Sequence, residues 1–359
     1  RTTRFGEYEL GQTISEEEGV KVKMAFHSQT GMRYVIRRYH RRFREFPRSE
    51  RVKIIREVDI QRDLGHPNVQ RFHELVETEM HIGLVLEYPS GGELFEYVLN
   101  HRYLRDKPAR RLFAQLISAV GYLHLKGVVH RNLKLETVQL DRYLNIIVTC
   151  FDLAKTFDPT NTTRLQEVSE YSLPVRDLKD IDNNARFGGD LMRTSYTSCG
   201  SPCYAAPELV VSDRLYTGRK ADIWSCGVIL VGPRRINLYA MLAGHLPFDD
   251  DPANPDGDNI NLLYKYIVST PVTFPEYVTP HARDLLRRIL VPDPSKRSDM
   301  YEIARHSWLS EYAHVVSHIT DKNTPKGIIG TTIPSRAGKK MPGMYRSVPS
   351  QGIYANRYT

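Results

Sequence analysis

Between residues 8 and 88 the apolar positions alternate with polar ones or come in short runs: Val20, Val22 and Met24; Tyr34, Val35 and Ile36; Gly83, Leu84, Val85 and Leu86. Successive side chains of a strand point to opposite faces of a sheet, so this spacing predicts a set of strands. One stretch, residues 49–64, carries helical spacing instead. After the break Pro89-Ser90-Gly91-Gly92 the period lengthens, with Leu112, Leu116, Val120 and Leu123 on one helical face, and helices are expected to dominate through Leu309. The expectation is an α+β fold of two lobes, the first mostly β with one helix and the second mostly α.

Three segments break this pattern. Residues 158–189 are polar, poor in aromatics and without a sustained period, which predicts a loop insertion. Residues 231–238 place Gly232, Pro233 and two arginines inside an otherwise apolar run. A helix cannot continue through that sequence unbroken, because proline lacks the backbone donor and costs about 3 kcal/mol in a helix interior. The C-terminal stretch is rich in Gly, Pro, Ser and basic residues and has little to bury. The expected organisation is a short lead (1–7), a first lobe (8–88), a second lobe (89–312) with the two insertions, and a disordered basic tail (313–359).

Composition narrows the class. With 359 residues, 41% of them hydrophobic, the chain can bury a large core. No run approaches the roughly 18 apolar residues of a membrane span, and the first residues lack the apolar stretch of a signal peptide, so a cytoplasmic or nuclear protein without membrane association is expected. The four cysteines, Cys150, Cys199, Cys203 and Cys226, have neither metal-site spacing nor the density of a disulfide scaffold. The net charge of +8 is concentrated in Arg37–Arg44 and in the tail. Such blocks attract phosphate or acidic partners, or simply form a solvated face. Nothing in the chain shows the base-stacking pattern of an RNA-binding module, so no nucleic-acid binding is expected.

The candidate chemistry begins at His130-Arg131-Asn132-Leu133-Lys134-Leu135-Glu136-Thr137. This run resembles the catalytic loop of the protein kinases, HRDLKLEN, with two residues exchanged. Other stretches fall into the same order. Glu87-Tyr88-Pro89-Ser90-Gly91-Gly92-Glu93-Leu94-Phe95 resembles the hinge, and the run from Ser198 to Ala206-Pro207-Glu208 resembles the end of the activation segment. Asp222-Ile223-Trp224-Ser225-Cys226-Gly227 resembles the start of the large lobe's central helix. The resemblance covers residues 5–308 and is to the calmodulin-kinase and AMP-activated-kinase-related Ser/Thr group, of fungal type. It implies a two-lobed kinase fold and an ancestral transfer of phosphate from ATP, with Mg²⁺, to protein Ser or Thr.

Carried over residue by residue, the resemblance puts Val22, Val35, Arg37, Glu57, Leu86, Glu87, Tyr88, Glu93 and Gln139 around a nucleotide. Asn132 and Lys134 take the catalytic positions, and Thr137 and Cys150 the metal-ligand positions. Thr197 takes the activating phosphosite, with Arg131 as its phosphate partner. His130, Glu208, Asp222 and Arg297 form the framework, with Glu208 paired to Arg297 and Asp222 capping the catalytic loop.

Several of these positions have lost the chemistry they imply. An amide at Asn132 orients a hydroxyl but takes no proton from it, and general-base action is worth about 10² to 10⁴ in rate. A thiol at Cys150 is a poor ligand for magnesium, which prefers hard oxygen donors. Asp152 lies two residues on, about 6.6 Å along an extended chain, too far to replace it without remodelling. In Ser15-Glu16-Glu17-Glu18-Gly19-Val20 the three glycines that let backbone amides approach the phosphates are replaced, and three carboxylates stand there instead. Arg37 keeps a charge but exchanges a compact ammonium for a planar fork. Lys21 and Lys23 could supply an amine, but alternation turns them away if Val22 faces the nucleotide. Gln61 and Gln139 take apolar positions of the family's interior, where an unpaired amide costs about 1–3 kcal/mol.

Three readings follow. The first is a pseudokinase that acts, if at all, by binding a protein partner, with ATP and Mg²⁺ held weakly or not at all. The second is a weak or atypical Ser/Thr kinase, and the third a decayed copy.

Overall fold

The computed structural model describes residues 3–17, 19–41, 48–101, 103–157, 191–193, 204–209, 215–231 and 272–321, with the single positions 262, 265 and 269. The insertion expected at 158–189, nearly all of that at 231–238, Thr197, Cys199, Cys203 and the tail beyond 321 lie outside the described residues.

The first lobe is a six-stranded antiparallel sheet. Its strands are β1 (Thr3–Phe5), β2 (Tyr8–Glu17), β3 (Val20–His27), β4 (Arg33–His40), β5 (Phe72–Glu77) and β6 (His81–Glu87), in the order β1-β2-β3-β4-β6-β5. Helix α1 (Arg48–Arg62) crosses between β4 and β5. Register assigns each strand's two faces. Val22 lies opposite Arg37, and Val35 opposite Leu86, on the face that packs on Ile54 and Val58 of α1. Lys21 pairs with Arg38 and Lys23 with Ile36, on the opposite face. That outer face has its own small core of Phe5, Tyr8, Ala25, Ile36 and Val85. The lysines therefore point away from the inner face, as strand alternation requires.

The second lobe is organised on α3 (Asp106–Leu125), whose Leu112, Phe113, Leu116, Ile117, Val120 and Leu123 are buried. Around it stand α2 (Leu94–His101), α4 (Gly218–Val231), α5 (Pro280–Ile289) and the short α6 (Met300–Ala304). Local chemistry starts these helices where they start. Thr279 caps α5 by accepting from the Ala282 N–H, with Pro280 at its first position, and Asp299 and Glu302 cap α6 reciprocally. Short strands β7 (Gly92–Glu93), β8 (Val138–Leu140) and β9 (Ile146–Val148) form a small sheet beside the catalytic loop.

The expected end of the second lobe at residue 312 is too early. Residues 313–320 continue it, ending in the helical turn α7 (Ser317–Thr320), and Val316 and Ile319 are fully buried. Gly121 makes room for this turn, since a Cβ there would meet Ile319 Cδ1 at 2.3 Å. No helix of the described residues is long and apolar enough to cross a membrane.

Candidate functional site

The loop His130–Thr137 lies between the lobes and hangs from one carboxylate. Asp222, in the first turns of α4, accepts from the backbone N–H groups of His130 (2.9 Å) and Arg131 (2.8 Å), and its Oδ2 lies 3.0 Å from His124 Nε2. Burial alone would raise the Asp222 pKa; the bond to His124 and the neighbouring charges outweigh it, and the carboxyl is held below its ordinary value. This anchoring supports a left-handed backbone at Arg131 (φ +68°), which is costly for a residue with a Cβ. His130 is buried beneath the loop. Its Nε2 is 2.8 Å from the Thr149 carbonyl oxygen, and its ring meets Phe151 edge-on at 4.9 Å.

Thr137 turns inward. Its hydroxyl lies 2.7 Å from the Asn132 carbonyl and 3.1 Å from that of Lys134, and it accepts from the Lys134 N–H. The residue is 3% exposed. Its hydroxyl is thus spent on closing the loop upon itself. Arg131 donates from Nε to the Tyr216 hydroxyl (2.9 Å) and from an Nη to the Leu153 carbonyl (3.3 Å).

Across the cleft, Arg37, Glu57 and Cys150 form one contact chain. Arg37 donates to Glu57 at 2.7 Å and to the Cys150 sulfur at 3.4 Å, and the Tyr39 hydroxyl lies 3.4 Å from the other Glu57 oxygen. The side chains of Arg37 and Glu57 are 13% and 3% exposed. Burial opposes the charge of Arg37, but Glu57 and then Cys150 hold its guanidinium firmly protonated. For Glu57 burial wins over Arg37, and its carboxyl titrates above the ordinary range. Tyr39 is a participant that sequence reasoning missed; alternation could have found it, two residues from Arg37 on the same face.

At Cys150 the chain is not extended. Its φ of +63° turns the backbone and carries Asp152 to the catalytic loop, where Asn132 Nδ2 lies 3.5 Å from Asp152 Oδ1.

The hinge positions divide. Val22, Val35, Leu86 and Tyr88 belong to the small-lobe core cluster. Glu87 is engaged by the protein on every side: its N–H donates to the Arg71 carbonyl (2.9 Å), its carbonyl accepts from the Gln70 amide (2.9 Å), and its carboxylate accepts from the Arg71 N–H (3.1 Å). Glu93 pairs with Gln139 in the small sheet. Burial, then Glu136 and Glu96, raise the Glu93 carboxyl against the pull of Lys134. The two glutamines differ. Gln61 is buried (1% exposed), and neither its Nε2 nor its Oε1 has a hydrogen-bond partner among the described residues. Gln139 is only half-buried, so the expected cost of a buried amide does not fall there.

At the far end of the large lobe, Arg297 and Glu208 meet as a bidentate pair, at 2.7 and 2.9 Å. Arg297 also donates to the carbonyls of Lys220 and Val291 and lies over the Trp224 ring at 4.9 Å. This joins the segment before α4 to the loop before α6.

A family model described as the protein kinase domain matches residues 8–309. The chain belongs to the protein kinase family. Its relatives include the Ser/Thr-protein kinase KIN4 of Saccharomyces cerevisiae, 44% identical over 87% of this chain and 35% of that protein. The fatty acyl-CoA synthetase and RNA processing-associated kinase 1 of the same yeast is 40% identical over 98% of this chain and 38% of its own length. The CBL-interacting protein kinase 1 of Oryza sativa is 39% identical over 89% and 60%. The sequence resemblance to the calmodulin-kinase and AMP-activated-kinase-related Ser/Thr group, of fungal type, is thereby shown. This kinase domain spans between about a third and three-fifths of the length of these relatives.

Proposed function

We propose that this kinase domain is a pseudokinase: a kinase fold whose phosphotransfer from ATP is lost or strongly impaired, and which acts by binding a protein partner. The contact chain of Arg37, Glu57 and Cys150 carries this reading. In the family a metal-binding carboxylate would stand at Cys150 and a phosphate-gripping lysine at Arg37; here the guanidinium contacts the thiol directly, at 3.4 Å. A protein side chain thus satisfies the two groups that would otherwise face magnesium and phosphate.

The donor set is a poor match to Mg²⁺. Cys150 offers sulfur, and the Thr137 oxygen is committed to the carbonyls of Asn132 and Lys134. On the purine side the Glu87 carbonyl accepts one bond from Gln70, and Pro89 has no N–H to offer. Where the family's glycine-rich loop would stand, β2 and β3 stay paired through Glu17 and Val20, and Glu16 is paired with Lys21 at 2.7 Å. Asn132 completes the set, because its amide cannot act as a base.

One observation favours a second reading, a weak Ser/Thr kinase. Asp152 stands within 3.5 Å of Asn132 and is exposed, so a carboxylate reaches the loop from a position other than the family's. Labelled ATP with a generic Ser/Thr peptide separates the two. The pseudokinase reading expects no transfer above background for the natural chain, and none lost on Asp152→Asn. Transfer that disappears with Asp152→Asn establishes the weak kinase instead.

A further inference from the structure

We propose that the outer face of the small-lobe sheet carries a second site, across the sheet from the nucleotide cleft, that binds a phosphate monoester. The site is a cavity of about 320 Å³ bounded by Lys21 of β3, Arg38 and His40 of β4, His81 of β6 and Glu16 of β2. Register brings these residues together. Lys21 stands opposite Arg38, and His40 opposite His81. Arg37 and Arg38 are neighbours on β4 and so point to opposite faces, which separates this cavity from the cleft by the thickness of the sheet.

The charge balance within the cavity is incomplete. Lys21 is matched by Glu16 at 2.7 Å. The side chain of Arg38 makes no hydrogen bond or ion pair among the described residues, and its Nε is shut off from solvent without an acceptor. A buried guanidinium donor without an acceptor is uncommon in a folded protein, because leaving it unmade is costly. The fitting ligand presents several strong acceptors and negative charge, and a guanidinium fork matches phosphate oxygens in pairs.

The histidines add to the case. Their rings meet edge-on at 4.9 Å, and Phe5 meets His81 at 6.4 Å, so the His81 imidazole is held in place. Burial first, then the charges of Arg38 and His40, keep the His81 imidazolium disfavoured. A phosphate beside it reverses the electrostatic part of that effect and couples its binding to proton uptake by the His81 ring. The volume exceeds what a bare ion needs and falls at the lower end of small-molecule sites, about 300–1,000 Å³, so a phosphate attached to a carrier fits better than the free ion.

The test is calorimetric titration of the full chain with a short phosphoserine peptide, its unphosphorylated form and inorganic phosphate. Saturable binding of the phosphopeptide is expected, with none for the unphosphorylated form. Arg38→Gln should weaken it about tenfold or more, as loss of a charge-assisted contact requires. Glu16→Gln, which removes the one carboxylate among the described residues lining the cavity, should tighten it severalfold; a gain of binding is not explained by misfolding. NMR signals of the His40 and His81 rings should move with the same saturation curve. Equal affinity for inorganic phosphate would keep the site and assign it to the free ion. Absence of saturable binding by either probe, or affinity unchanged in Arg38→Gln, overturns the proposal.

Discussion

Replacing Gln61 by leucine is expected to stabilise this domain. The residue sits on α1 one turn after Glu57, between Ile54 and Val58, which join the small-lobe core, and Leu64, which joins the large one. Both polar atoms of its amide are shielded and unpartnered among the described residues. An amide in that state costs about 1–3 kcal/mol relative to one that is hydrogen-bonded or in water. Leucine removes the penalty and fits a space of similar size, for which repacking costs less than about 1.5 kcal/mol. The net gain should be about 1–2 kcal/mol. Since about 1 kcal/mol moves Tm by roughly 2–4 °C in domains of 150–250 residues, a rise of a few degrees is expected. Urea unfolding is the better assay, because a higher midpoint at unchanged slope reports stability alone. Gln61→Met, unbranched like glutamine, controls for shape. If both variants are no more stable than the natural chain at equal slope, the amide is satisfied in solution and the argument from its burial is refuted.

Three further outcomes follow from the same geometry. Arg297→Ala should destabilise the large lobe by about 3–5 kcal/mol, measured by urea unfolding, because it strands the half-buried Glu208 carboxylate and two carbonyls. Acid should weaken the fold through His66, whose imidazolium is pushed down to about 4 by burial, with His318 adding to the effect. Below pH 6.5 the unfolded chain takes up a proton there that the folded chain refuses, so stability falls as pH drops from about 6.5 to about 4. The loss is about 1–2 kcal/mol once partial exposure is allowed for, and His66→Gln should flatten that part of the pH profile. Cys150→Asp should give Arg37 a second carboxylate in place of the thiol, tightening the Arg37 contact without creating phosphotransfer, as a peptide assay with labelled ATP would show.

Much of this was legible in the sequence, for physical reasons that differ from residue to residue. Strand alternation alone turned Lys21 and Lys23 away from Val22, because side-chain direction in a paired strand leaves no freedom. The meeting of Glu208 with Arg297, 89 residues apart, was readable only through the family resemblance, since spacing does not report contacts at that range. The contact of Asp152 with Asn132 was not legible, because Cys150 adopts a left-handed turn that no periodicity announces. Position in the family places Gln139 in the interior, whereas it is half-buried although its strand is paired on both sides, by Ile147 and by Glu93. The lobe ran past residue 312 because two apolar residues, Val316 and Ile319, are enough to dock a single turn where Gly121 provides the space.

The central claim is that Arg37, Thr137 and Cys150 leave no productive place for a nucleotide and its metal. A thermal-unfolding scan of the purified chain, alone and with ATP plus magnesium or manganese, tests it most directly. A ligand present at 100 times its dissociation constant adds about 2.7 kcal/mol to stability, so occupancy has a readable size. The account predicts one cooperative transition at the same temperature in all three samples. A transition that rises with nucleotide and metal together, and not with either alone, would contradict it.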